Sequence, residues 1–168
     1  MAMLLDLFNE FRVPAQHLAS LLLAGAIWRW GGAPERWLIG VFLATMVVPV
    51  YIARGLGLSA TDIGPWATMV ISLDLMAAAL FVGIALNANR NYPLWIAGFQ
   101  VVAVAAHLVK ALVHEVSPLA YAILVIGPSY CQLLLLIAGF ARHALRQRRF
   151  GPYREWRQAV PGVLGWRP

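Results

Sequence analysis

The sequence predicts an all-α polytopic membrane helix bundle of five transmembrane helices, with the N-terminus outside and the C-terminus cytoplasmic. Three observations predict it. Of 168 residues, 61% are hydrophobic and only 12% are charged, about half the ~25% charged share of soluble domains. The mean hydropathy of +0.73 points to lipid as the main solvent. The apolar residues fall into runs near the length that crosses a bilayer, divided by turns rich in Gly, Pro and Asn.

Residues 1–12 read as an interfacial amphipathic segment, with Leu4, Leu5, Leu7, Phe8 and Phe11 set among Asp6, Asn9, Glu10 and Arg12. No cleavable leader is expected here, because the start lacks a basic region and carries two acids. Residues 13–141 form the bundle. Span one runs from about Val13 to Trp30, with Pro14 suited to a first turn and Trp28 and Trp30 at the far interface. It is the shortest candidate, and its competitor is a helix lying at the interface. After the turn Gly31 to Arg36, span two runs from about Trp37 to Ala53, and Pro49 is expected to bend it. A flexible connection, Arg54 to Pro65, leads to span three, about Trp66 to Leu86. Its Ala77, Ala78, Ala79, Gly83 and Ala85 permit close helix approach.

Span four, Pro93 to Glu115, carries Gln100, His107, Lys110 and His114 on one helix face. In heptad terms Gln100, His107 and His114 share one position, and Ala103 and Lys110 the other seam position. Such a stripe is costly to expose to lipid and should point into the bundle. Ser117 and Pro118 start span five, about Leu119 to Ala141. Pro128 should free the carbonyl of Leu124, with Ser129, Tyr130 and Gln132 placed to satisfy freed groups. Residues 142–168 are a basic aromatic tail, read as an interfacial helix or turn followed by an extended end.

Five spans put the termini on opposite sides. Ten basic residues then share one side: Arg29, Arg36, Arg90, Arg142, Arg146, Arg148, Arg149, Arg154, Arg157 and Arg167. Three, Arg12, Arg54 and Lys110, share the other. The positive-inside rule makes the first side cytoplasmic, with the tail carrying most of the excess. Asp74 then lies eight residues below Trp66, roughly 12 Å along the helix at 1.5 Å per residue. With His17, His107, Lys110 and His114 it shares the outer half. Asp74 with Lys110 is the natural ion pair, joined by His107 and Gln100, and it serves either as a clamp or as a site with ligand or proton traffic.

His17, His107 and His114 are also candidate metal or haem ligands. A single haem b needs an opposing histidine at the same depth, and His17 is the partner the sequence offers. A zinc ion could use the same histidines with Asp74, without any compact motif. Cys131 is the one cysteine, which excludes an intrachain disulfide and multi-cysteine metal sites. The sequence carries no phosphate-binding Gly-rich loop, no nucleophile elbow and no catalytic dyad of known spacing.

The tail residues Arg142, Arg146, Arg148, Arg149, Arg154 and Arg157, interleaved with Phe150, Tyr153 and Trp156, suit anionic lipid headgroups or a partner protein rather than nucleic acid. The segment RNYPLWIAGFQVVAVAAHL resembles small bacterial polytopic inner-membrane proteins with no assigned activity. That resemblance spans helices three to five and implies the bacterial inner membrane, and nothing about chemistry. The expected function is that of a non-enzymatic accessory or assembly subunit working with other membrane subunits. The alternative is a small redox protein, with one haem b or a quinone, or a transport protein that uses the outer polar site.

Overall fold

The computed structural model describes residues 2–57, 63–113, 115, 117–151 and 154–157; for 2–10, 63–66 and 118 it describes the backbone alone. His114, Tyr153, Arg167 and the side chain of Trp66 therefore lie outside the described residues. Among those residues the chain is helical throughout, with no strand and one isolated bridge between Ala88 and Trp156. The helices are α1 (Ala2–Trp30), α2 (Ala33–Phe42), a π turn (Leu43–Val47), α3 (Val48–Gly55), α4 (Ile63–Asn87), α5 (Tyr92–Leu112) and α6 (Pro118–Phe150).

Each boundary has a local cause. Gly32 is extended and Pro34 stands in the first turn of α2, where a missing N–H costs nothing. Pro93 does the same for α5, and Pro118 for α6 after Ser117. Ser117 holds the cap position, but its side chain makes no cap hydrogen bond. Pro49 does not break its helix. The widened π turn just before it takes up the clash with residue 45, so Ala33–Gly55 continues as one helix of 23 residues. Thr45 returns its hydroxyl to the Val41 carbonyl within that stretch. Pro14 and Pro128 likewise sit inside continuous helices. At Pro128 the Ser129 hydroxyl donates to the Ile126 carbonyl, and Gln132 turns to a different helix altogether.

Among the described residues four helices are long and apolar enough to cross a membrane: Ala33–Gly55, Ala67–Asn87, Tyr92–Leu112 and Leu119–Phe150. The expected span one is not among them, because Gln16, His17, Ser20 and Arg29 dilute its apolar run. α1 still belongs to the bundle, since Leu23 and Ile27 share one core with Leu38, Ile39 and Phe42 of α2, Phe81 of α4, Ile96 of α5 and Leu136 of α6. It runs unbroken from Ala2 to Trp30 through Pro14, without a break at Arg12.

α4, α5 and α6 pack as consecutive antiparallel neighbours, and the α1–α2 hairpin closes against α4 and α6. The radial distribution is that of a protein dissolved in lipid. Leu18, Leu22, Leu108, Ile123 and Leu134 face outward, while Asp74, Gln100, His107, Gln132 and Glu35 are buried. In water that arrangement would expose the apolar surface that normally drives folding, whereas lipid takes it at no cost. The chain is a multi-pass membrane protein by length, composition and this inverted packing.

α6 passes the expected end at Ala141 by nine residues and stops where Gly151 takes a φ of +74°. The intervening residues contain no Gly or Pro to interrupt the helix. The tail beyond Gly151 is not a free extended end among the described residues. Asn89 N–H donates to the Glu155 carbonyl at 3.1 Å and Arg157 N–H to the Asn87 carbonyl at 2.8 Å, so the chain folds back over the α4–α5 turn.

Candidate functional site

Three helices deliver one hydrogen-bonded chain into the middle of the bundle. Asp74 lies on the α4 face that also buries Ala77 and Phe81, three and seven residues on. On α5 the buried stripe is Ile96, Gln100, Ala103 and His107. The Gln100 amide donates to Asp74 Oδ1 at 2.8 Å, and also reaches the Asp74 carbonyl at 3.3 Å. His107 Nε2 meets Asp74 Oδ2 at 2.8 Å. Its other ring nitrogen, Nδ1, meets the Tyr121 hydroxyl at 2.8 Å. At the opposite end of the chain Gln132 Nε2 donates to Gln100 Oε1 at 2.8 Å and to the Ile96 carbonyl at 3.2 Å. Asp74 and His107 are only 6% and 8% exposed.

Lys110 is not part of this buried group. It is exposed, with its Nζ 4.0 Å from the centroid of the Tyr121 ring, and His107 takes the place next to Asp74 that the sequence assigned to the lysine. A straight helix drifts about 20° per heptad from a strict seam, and a long cationic side chain near a helix end turns toward the polar boundary. The stripe is therefore buried at Gln100 and His107 and has left the core by Lys110. Tyr121 and Gln132 were not singled out as site residues from sequence. Gln132 was placed as a partner for backbone freed at Pro128, and Tyr121 has no sequence signal beyond an aromatic near a helix start.

Among the described residues the histidines do not gather, and His114 lies outside them. His17 packs against Tyr51 of α3, with Nδ1 3.3 Å from the hydroxyl, while His107 faces α4 and α6. Both ring nitrogens of His107 have protein partners, which leaves neither for iron in this arrangement. Among the described residues no three His, Cys, Asp or Glu side chains converge as a metal site. Gln16 donates to the Ser129 hydroxyl at 3.0 Å, which ties α1 to α6 at the Pro128 level.

A second polar cluster lies at the opposite end of the bundle, around Glu35 in the first turn of α2, inside the stretch expected to be the Gly31 to Arg36 turn. Glu35 is fully buried. It forms an ion pair with Arg90 and accepts a hydrogen bond from the Tyr92 hydroxyl at 2.9 Å. Arg90 Nη2 also donates to His143 Nδ1 at 3.1 Å. Glu155 Oε2 accepts the N–H of Ala33, the first residue of α2, at 2.8 Å. A Cβ at Gly32 would press on the carboxylates of both Glu155 and Glu35, whose side-chain ends would have to shift to admit it. The hairpin, the α4–α5 turn, α6 and the tail thus meet here. The partners lie 53 to 122 residues apart in sequence, which is why no local pattern announced them.

Tyr92 is held from behind by α6. A Cβ on Gly139 would stand 2.7–2.9 Å from the Tyr92 ring. Gly139→Val is expected to destabilise the bundle by about 1–3 kcal/mol through overpacking. Thermal unfolding in detergent should show it, and Gly139→Val/Tyr92→Leu should regain most of the loss by vacating the ring.

No protein-family model, no curated protein and no solved structure matches the chain. The resemblance of its α4–α6 region to small inner-membrane proteins gains no support from these comparisons, and function rests on the geometry alone.

Proposed function

We propose that the chain is a five-span protein of the bacterial inner membrane, of the small transport class, in which Asp74 and His107 bind one proton reached from the outer end. The observation that carries this is the Asp74–His107–Tyr121 chain. A tyrosine hydroxyl either donates or accepts. With His107 neutral, Nε2–H donates to Asp74 and Nδ1 accepts from Tyr121. With His107 protonated, both nitrogens donate, and the hydroxyl only rotates. The site therefore holds or releases a proton without losing a hydrogen bond, which suits a proton relay within a membrane. Tyr121 is half-buried and Lys110 exposed at that end, which supports access from it. On the other side Ile96 and Leu136, both fully buried, close the bundle one turn beyond Gln100 and Gln132. The gathering of Arg29, Arg36, Arg90, Arg142 and Arg146 at the Glu35 end favours that end as the cytoplasmic one.

Reconstitution tests this reading. Vesicles containing the protein and a pH-sensitive dye should dissipate an imposed pH gradient faster than empty vesicles. Asp74→Asn and His107→Gln should return the rate to background while keeping the helical content and melting temperature within a few degrees. Rates unaffected by either change would sink the proposal.

The accessory-subunit reading stands second, favoured by one observation. Ala79 and Gly83 are exposed on α4 at a four-residue spacing, and space around Gly83 is open. Small residues spaced this way let a neighbouring helix approach closely. Copurification of a second membrane protein that is lost with Gly83→Leu would support it.

A further inference from the structure

A cavity of about 620 Å³ opens where the ends of α1 and α6 meet the start of α2. We propose that it binds the headgroup phosphate of an anionic phospholipid, with Arg29, Arg36 and Arg148 as its cationic wall. The inference does not rest on the proton reading.

Three helices supply the charge. Arg29 lies in the last turn of α1, Arg36 near the start of α2 and Arg148 in the last turn of α6. All three line the cavity and are exposed. Among the described residues neither Arg36 nor Arg148 forms an ion pair. Arg29 lies over the Trp30 ring, its Cζ 5.6 Å from the centroid, a contact that leaves its charge without a carboxylate. Glu155 is the one carboxylate among the lining residues, and its Oε2 already accepts the Ala33 N–H at 2.8 Å. The wall therefore sets three guanidinium groups against one engaged carboxylate. Guanidinium groups bind phosphate oxygens in a forked geometry that an ammonium cannot match.

Two features favour a lipid over a free phosphate, which shares this chemistry. The cavity opens at headgroup depth, because Trp28, Trp30 and Trp37 are exposed at the same end, and a belt of such rings marks a membrane boundary. Its floor is apolar, made by Ala26 of α1 with Phe140 and Ala144 of α6. That floor continues along α1 to the exposed Leu22, four residues before Ala26 on the same face, and along α6 to the exposed Ile137, three residues before Phe140. α1 and α6 run side by side over this length. From the Gln16–Ser129 hydrogen bond to the cavity residues Trp30 and His143, each helix advances by fourteen residues. The seam between them is a track for an acyl chain, roughly 21 Å long at 1.5 Å per residue.

Native mass spectrometry of the full chain in mild detergent, incubated with phosphatidylglycerol or phosphatidylcholine, tests the site. The wild type should retain one phosphatidylglycerol roughly ten-fold more than phosphatidylcholine. Arg29→Gln/Arg36→Gln should lose that preference. Arg149→Gln/Arg154→Gln, which removes the same charge outside the cavity, should keep it. Ala144→Trp fills the floor without changing charge and should also lose the adduct. A phosphatidylglycerol carrying a photoreactive diazirine beside its headgroup needs no variant, so the test survives if a substituted chain fails to fold. It should label the wild type within residues 26–36 and 140–148, the segments that line the cavity. Equal retention of the two lipids, equal loss in the two charge variants, retention in Ala144→Trp, or label spread along the lipid-facing helices overturns the proposal. Stabilisation by inorganic phosphate over chloride at equal ionic strength, with no lipid retained, overturns it in favour of the free ion.

Discussion

Asp74→Leu should destabilise the folded bundle by about 3–5 kcal/mol, the cost of removing one partner from a buried charge pair. His107 loses its Nε2 partner and Gln100 loses its Oδ1 acceptor in the same step. Each is buried, so neither regains a partner from water. Asp74→Leu/His107→Leu should recover most of the loss, because the desolvation of both polar groups disappears with them. Lys110→Met supplies the contrast. Its ammonium lies over the Tyr121 ring at an exposed position, where a cation–π contact contributes about 0.5–1 kcal/mol. Its effect should add to that of Asp74→Leu, as independent sites do. Denaturant titration in mixed micelles, followed by circular dichroism, reads all four proteins. A Lys110→Met loss as large as that of Asp74→Leu, with recovery in Asp74→Leu/Lys110→Met, would restore the ion pair expected from the sequence and refute the observed one.

Glu35→Ala is expected to have an effect of the same order, about 3–5 kcal/mol, at the other end of the bundle. Arg90 keeps its contact with His143 but loses the buried carboxylate that balances its charge, and the Tyr92 hydroxyl loses its acceptor. The damage should be local at first. Glu35 is what ties the start of α2 to the α4–α5 turn, so hydrogen exchange should accelerate over Asn87 to Tyr92 before it does in the Asp74 layer. Glu35→Leu/Arg90→Met should be much milder than either single change. If Glu35→Ala melts like the wild type, the ion pair contributes nothing to the fold.

These two sites differ in how far the sequence discloses them. Asp74, Gln100 and His107 are polar residues inside apolar runs, and helical periodicity puts the last two on one face. Their burial follows from the expense of showing such groups to lipid. Glu35 sits three residues past Gly32, beside Arg36, where a charge is ordinary, and nothing local separates it from a solvated turn residue. The Pro residues show a third situation. The ring chemistry predicts an interruption, but Pro49 is absorbed by a π turn and Pro128 by a continuous helix, because packed neighbours hold the helix on both sides.

The sequence by itself determined the solvent, the helical class, the apolar stretches and the separation of basic from non-basic ends. Each of these is a sum over neighbouring residues, and each is set by hydropathy, length and turn chemistry within some twenty positions. Only the tertiary structure decided that Asp74 meets His107 and not Lys110, that Glu35 is buried against Arg90, and that the tail returns to α2. Those contacts join residues 33, 55 and 122 positions apart. Periodicity states which face a side chain occupies, but helix rotation and hairpin register choose its partner across the interface, and both are settled by how the whole bundle packs.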